Sequence, residues 1–115
     1  MAVTIYGIAN CDTVKKARKW LDAHDIAHGF HDFRADGLAR EQVETWIGEI
    51  GWETLVNRRS SSWRELDQGL KDELDNASAV DLIMNAPTLI KRPLTDTGSA
   101  RYVGFSDKAY AEIFA

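Results

Sequence analysis

The segment Val3-Thr4-Ile5-Tyr6-Gly7-Ile8-Ala9-Asn10-Cys11-Asp12-Thr13-Val14-Lys15-Lys16-Ala17 changes its periodicity partway along. Residues 3–6 are apolar or β-branched and predict a short strand, which the turn at residues 7–10 ends. Apolar residues then recur at helical spacing at Val14, Ala17 and Leu21, with basic residues on the other faces. This pattern predicts an amphipathic helix that ends near His24.

Cys11 is the only cysteine in the chain and lies where the predicted strand gives way to the helix. A thiol at this place is close to unpaired backbone N–H groups and to the positive end of a helix dipole, which favours a thiolate at neutral pH. The residue three positions on is Val14, so this turn holds no Cys-x-x-Cys pair. We therefore expect a reactive thiol whose resolving thiol comes from another molecule. The alternative is a small buried core residue.

Length and composition limit the function classes. The 115 residues, 44% hydrophobic and 28% charged, predict one compact domain with a single core. No apolar run approaches the ~20 residues of a membrane helix, and a lone cysteine suits a reducing compartment, so we expect a cytoplasmic chain away from membranes. The net charge of −4 argues against a nucleic-acid partner. We expect a monomer.

The pattern beyond the first helix alternates strands with short helices. It predicts a second strand within residues 27–33 and a helix that stops at Gly51. A short turn at 52–56, a polar loop at 57–62 and helices at 66–74 and 78–86 follow, the last with a capping box from Ser78 to Asp81 and a stop at Pro87. Residues 88–94 and 101–104 predict strands joined by a hairpin turn at 95–98, and Ser106 is expected to cap a final helix.

This order of elements predicts an α/β fold. A strand-helix-strand half and a strand-strand-helix half can form a thioredoxin-like mixed four-stranded sheet, with a helical insert at about residues 38–87 between the βαβ and ββα halves. We expect residues 1–115 to form a single domain. In such a sheet the end of the first strand lies at an edge open to solvent, and Cys11 follows it.

The chain resembles the arsenate reductase-related family that includes ArsC and Spx, and most closely its YffB-type proteins. The resemblance runs nearly end to end and is carried by Tyr6-Gly7-Ile8, Asn10-Cys11-Asp12-Thr13, Lys15-Lys16-Ala17-Arg18, His31-Asp32-Phe33-Arg34, Gly51-Trp52, Leu55-Val56-Asn57, Trp63-Arg64, Ile90-Lys91-Arg92-Pro93-Leu94 and Gly104-Phe105-Ser106. It implies a thioredoxin-like fold with a helical insert, Cys11 as nucleophile, and a cis-Pro93 that faces it directly after Arg92. It also implies glutathione as co-reactant.

The sequence departs from the family pattern at two arginine positions that bear on the substrate. Arsenate-reducing members use two further arginines to hold the oxyanion. The first position aligns with or near Asn57, with Arg58 and Arg59 directly after it, and the second falls at Gly104. Val14 likewise replaces the second cysteine of the Spx-like switch. The resemblance therefore implies a thiol reductase more than an efficient arsenate reductase.

We assign catalysis to Cys11 and Arg92, because a planar guanidinium can hold a glutathione carboxylate or a small oxidised anion with two parallel hydrogen bonds. The candidate substrate-binding residues are Asn10, Asn57, Arg58, Arg59 and Pro93. The alternative for Arg92 is a solvated surface arginine, and for the loop arginines a solvated loop face.

We expect no metal and no bound cofactor, because no pair among His24, His28 and His31 has further metal ligands beside it. The expected partners are glutathione or a small oxidised anion as substrate, with glutathione or a glutaredoxin as the external thiol. Three functions stay open. They are a glutathione-dependent monothiol oxidoreductase, an Spx-like protein-interaction or regulatory module without catalysis, and a weak arsenate reductase.

Overall fold

A computed structural model describes residues 2–115. The elements in chain order are β1 (Thr4–Gly7), α1 (Asp12–Ala23), β2 (Gly29–Asp32), α2 (Arg40–Ile50), α3 (Trp52–Leu55), α4 (Ser61–Arg64), α5 (Gln68–Asp72), α6 (Asn76–Asn85), a 3-10 helix (Pro87–Leu89), β3 (Leu94–Asp96), β4 (Arg101–Val103) and α7 (Asp107–Ile113). The chain divides into two compact units, which are the residues up to Gly37 together with those from Arg92 onward, and Leu38–Lys91. No helix within residues 2–115 is both long enough and apolar enough to cross a bilayer.

The first unit contains a mixed four-stranded sheet in the order β2-β1-β3-β4. β1 runs parallel to β2, with Tyr6 opposite His31, and antiparallel to β3, with Tyr6 opposite Leu94. Parallel neighbours need a crossover connection, which α1 supplies, whereas β3 and β4 are antiparallel and need only a short turn. The predicted thioredoxin-like arrangement is confirmed.

Helix α1 lies close against β1. A Cβ added at Gly7 would be 2.7 Å from a methyl carbon of Val14, so a larger residue at position 7 would force the two elements apart. One hydrophobic cluster in the core of this unit consists of Val3, Ile5, Val14, Ala17, Leu21 and Tyr110. Because β1 and α1 both pack into this core, the two ends of the loop between them are held in place.

The second unit is built from the helices α2 to α6. The buried face of α2 consists of Val43, Trp46 and Ile47, and that of α6 consists of Ala79, Val80 and Ile83. The two helices pack against each other. An isolated antiparallel bridge joins Val56, in the interior of this unit, to Ile90 near its C-terminal end.

Three local predictions were wrong. The capping box of α6 joins Asp75 and Ser78 rather than Ser78 and Asp81, because the helix starts earlier than expected. Residues 88–90 belong to a 3-10 turn and to the bridge with Val56, so the strand begins only at Leu94, after a proline that has no N–H for a ladder. The predicted polar loop at 57–62 ends in α4.

The hairpin turn consequently lies later than residues 95–98. Thr97 donates its backbone N–H to the carbonyl of Ala100 at 3.1 Å, and Gly98 takes a φ of 89° inside this turn. The single-domain assignment of residues 1–115 stays a prediction.

Candidate active site

Cys11 is the N-cap residue of α1 and is partly buried. Its backbone is extended, its N–H donates to the carbonyl of Ile8 at 3.1 Å, and its carbonyl accepts from the N–H of Lys15 at 3.0 Å. The thiol makes no capping hydrogen bond of the kind that serine or aspartate would make. As the N-cap residue, Cys11 lies at the start of a helix of 12 residues, where the peptide dipoles favour a negative charge. Asp12 in the first turn opposes this effect.

The strand register brings the catalytic candidates to one edge of the sheet. β1 ends at Gly7, and its antiparallel neighbour β3 begins at Leu94, opposite Tyr6. The loop that carries Cys11 therefore begins at this edge, where β1 ends. The pair Arg92-Pro93 lies at the same edge, directly before β3. The peptide bond between Arg92 and Pro93 is cis, as the resemblance implied.

Further contacts fix the segments at this edge. Pro93 is buried, and its carbonyl accepts a hydrogen bond from the N–H of Gly104 at 2.9 Å. Arg92 is partly buried, and Asn10 is exposed directly before Cys11. The first unit thus holds Asn10, Cys11, Arg92 and Pro93 at the same edge of its sheet. Their roles in binding and catalysis stay predictions.

Asp32 ties the end of β2 to the loop before Cys11. One carboxylate oxygen accepts from the N–H of Ala9 at 3.1 Å, and the other accepts from Arg34 at 2.7 Å and Ala35 at 3.3 Å. These donors, that of Arg34 above all, hold the pKa of Asp32 below its usual value. Sequence reasoning gave this residue no role. The available signal was an aspartate at the end of a strand predicted to run parallel to β1.

Asn57, Arg58 and Arg59 lie in the second unit. The side-chain oxygen of Asn57 accepts from the N–H of Arg59 at 3.1 Å, and its carbonyl accepts from the hydroxyl of Ser60 at 2.8 Å. Asn57 therefore shapes its own loop. The guanidinium of Arg58 lies 5.9 Å from the ring of Trp52, and both arginines are exposed. Their contact with an anion stays a prediction.

Each histidine donates a ring N–H to a backbone carbonyl. The pairs are His24 with Trp20, His28 with Ile26 and His31 with Gly37, at 2.8, 3.0 and 2.7 Å. These bonds give the histidines structural partners. Over residues 2–115 no group of three or more His, Cys, Asp or Glu side chains is placed to hold a metal ion.

Known proteins with similar sequences and structures match nearly the whole chain. The sequence profile of the ArsC family matches residues 6–113. An uncharacterized protein of Haemophilus influenzae is 46% identical over 113 residues, which cover 98% of this chain and 99% of that protein. The solved structure of a YFFB protein superposes with a TM-score of 0.92 at 45% identity and covers 99% of this chain and 100% of that one.

A regulator is among the more distant relatives. The global transcriptional regulator Spx of Streptococcus mutans is 29% identical over 107 residues, which cover 91% of this chain and 77% of the regulator. Similarity of sequence thus connects the chain to a transcriptional regulator.

Proposed function

The chain belongs to the ArsC family, and from this we propose that it is a glutathione-dependent monothiol oxidoreductase with Cys11 as its nucleophile. The observation that supports the proposal most is the position of Cys11, at the N-terminus of α1 and at the sheet edge where β3 begins. We propose that it works as a monomer in the reducing cytoplasm, without a bound cofactor.

The reaction needs two exchange steps. The Cys11 thiolate attacks the glutathione sulfur of a mixed disulfide, so a bond forms between Cys11 Sγ and glutathione while the original S–S bond breaks and the substrate thiolate leaves. A second glutathione thiolate then attacks the glutathione sulfur bound to Cys11. This step releases oxidised glutathione and restores the Cys11 thiolate. The sum converts one mixed disulfide and one glutathione into a free thiol and oxidised glutathione.

The other candidate residues would bind and orient glutathione. The guanidinium of Arg92 suits a carboxylate through two parallel hydrogen bonds, and Arg92 precedes β3, which begins at the edge of the sheet where Cys11 lies. Pro93 would present backbone to the bound peptide, and Asn10 would offer an amide beside the sulfur. Asn57, Arg58 and Arg59 are candidates for a second anion contact.

Two measurements test the proposal. Intact mass after incubation with oxidised glutathione should show one adduct on the wild type and none on Cys11→Ser. Alkylation of Cys11 at neutral pH should be slower in Arg92→Ala than in the wild type, because the proposal gives Arg92 the role of stabilising the thiolate.

Arg34→Ala is the matched control, since Arg34 is an exposed arginine of the same unit. It should leave the alkylation rate of Cys11 unchanged. If the wild type forms no adduct with oxidised glutathione at neutral pH, the enzymatic proposal is wrong.

The relationship to Spx favours a second candidate, a regulatory module that acts by binding another protein. Under that function the Cys11→Ser variant should regulate its target as well as the wild type does, and the wild type should show no thiol transfer. Loss of regulation in Cys11→Ser, together with an adduct in the wild type, would favour the enzyme.

Arsenate reduction is the third candidate, and we expect it to be slow. Glycine stands at position 104, where arsenate-reducing members are expected to carry an arginine. A coupled assay with arsenate, glutathione and glutaredoxin should therefore give turnover well below the ~1–1000 per second of typical enzymes. A rate within that range would contradict this expectation.

A further inference from the structure

A surface groove of about 450 Å³ runs beside α1 in the first unit, and its lining residues are Lys16, Lys19, Trp20, Ala23, Phe105 and Asp107. The rings of Trp20 and Phe105 each meet the buried ring of Tyr110 edge-on, with centroids 5.4 and 4.7 Å apart. These contacts hold the two aromatic residues in place. The groove therefore has a fixed aromatic floor.

The rim of the groove is more basic than the chain as a whole. Lys16 and Lys19 are both exposed on it, against the single carboxylate of Asp107, whereas the protein carries a net charge of −4. Two cations over an aromatic floor complement a ligand that combines negative charge with an apolar side chain. A short acidic peptide segment has this chemistry.

The position of the groove along α1 indicates how such a segment would reach it. Lys16 and Lys19 are five and eight residues beyond Cys11, which corresponds to about 7.5 and 12 Å along the helix axis. An extended peptide advances about 3.4 Å per residue, so residues about two to four positions from the reacting cysteine span this distance. Glutathione has one residue on each side of its cysteine, so its peptide is too short to do so.

We propose that this groove binds an acidic segment of a protein substrate whose cysteine is disulfide-bonded to glutathione. The inference rests on the proposed function and names its substrate class. Acidic side chains contact Lys16 and Lys19, and an apolar side chain lies over Trp20 and Phe105. The chemical step is the exchange given above, in which Cys11 takes the glutathione and the protein thiolate leaves.

The test compares two peptides that are glutathionylated on their cysteine. One carries Glu two and four positions from the cysteine with Leu between them, and the other carries Gln in place of both Glu residues. The wild type should have a kcat/KM about five- to tenfold higher for the acidic peptide, mostly through KM. About 0.5 M salt should reduce this difference in kcat/KM, because salt screens exposed ion pairs.

Charge reversal of the rim provides the matched variants. Lys16→Glu with Lys19→Glu should abolish the preference and should instead favour a third peptide that carries Lys at the Glu positions. Lys108→Glu changes an exposed lysine of α7 that does not line the groove, and it should leave the preference intact. Circular dichroism should show native helix content, and Lys16→Gln with Lys19→Gln serves if the reversed variant does not fold.

The reaction with oxidised glutathione distinguishes a failure of the groove inference from a failure of the proposed function. Oxidised glutathione should form the adduct on Cys11 in the wild type and in the rim variants. If it does so while the acidic and neutral peptides react equally well in the wild type, the groove inference is wrong and the proposed function stands. If neither oxidised glutathione nor any peptide gives an adduct on Cys11, both are wrong.

Discussion

Asp32 is hydrogen-bonded to the loop before the nucleophile. Its carboxylate accepts from Ala9, two residues before Cys11, and from two amides after β2, so it joins the ends of both parallel strands. A carboxylate can do this because its two oxygens accept several hydrogen bonds at once. We therefore expect the position of Cys11 to depend on Asp32, which belongs to β2. Asp32 would be a positioning residue in the proposed reaction.

Replacing Asp32 with Asn should slow the reaction of Cys11 with oxidised glutathione. An amide has one acceptor oxygen, so it cannot serve both Ala9 and the amides of Arg34 and Ala35. We expect the limiting rate at high pH, where the thiol is fully ionised, to fall about tenfold. Stopped-flow measurement of this rate separates misplacement of the sulfur from a change in its ionisation, which would move only the pH midpoint.

Asp36→Asn is the matched control, because Asp36 accepts from the N–H of Asp32 at 3.0 Å in the same turn. It should retain most of the rate, and Asp32→Glu should recover part of it. A limiting rate in Asp32→Asn equal to that of the wild type would show that the loop needs no such tether.

Strand β3 and helix α7 are joined by a buried hydroxyl pair. Thr95 Oγ1 and Tyr110 Oη are 2.6 Å apart, and both residues are fully buried. Burial raises the pKa of Tyr110, because the phenolate would be poorly solvated, although the bond to Thr95 acts in the opposite direction. The pair therefore specifies how α7 lies on the sheet.

Removing both hydroxyls of this pair should destabilise the protein by less than the sum of the two single removals. Tyr110→Phe and Thr95→Val should each lower the free energy of unfolding by about 1–3 kcal/mol, because the remaining hydroxyl is buried without its partner. The double variant should be less destabilised than the sum, as denaturant titrations would measure. Tyr102→Phe changes a tyrosine that is 39% exposed and should alter the stability by less than about 0.5 kcal/mol. Strict additivity would contradict this account of the pair.

Each of the two compact units contains an aspartate whose pKa is lowered in the folded protein. Asp32 in the first unit and Asp75 in the second both have a pKa below the usual 3.8, because backbone amides, those of Arg34 and Ser78 first, donate to their charged forms. The unfolded chain therefore takes up these protons at higher pH than the folded chain does. Both contributions to stability are present above about pH 4 and are lost as the pH falls through the lowered pKa values.

Acid should consequently destabilise the protein, and the effect should depend on these two carboxylates. We expect the free energy of unfolding in urea to decrease below about pH 4. The double variant Asp32→Asn, Asp75→Asn should show a shallower decrease, and Asn at position 75 still caps α6. Asp22→Asn, on the exposed surface of α1, should keep the wild-type slope. An unchanged slope in the double variant would contradict the assignment.

Periodicity and motifs were enough to predict the order of the four strands and of the longer helices, the thioredoxin-like sheet, the family and the place of Cys11 at the start of α1. These features depend on residues that are close together in the chain, and apolar spacing and turn residues record them directly. The errors occurred where local signals compete. Ile90 is apolar in an extended segment, yet it bridges Val56 in the second unit instead of joining β3.

Contacts between distant residues could not be predicted in the same way. The bond from Ala9 to Asp32 spans 23 positions, and the groove combines α1 with Phe105. Such contacts exist only after the strands have paired in one register and α1 has packed on β1. Register and packing follow from burial summed over the whole core, which no single segment of the chain encodes.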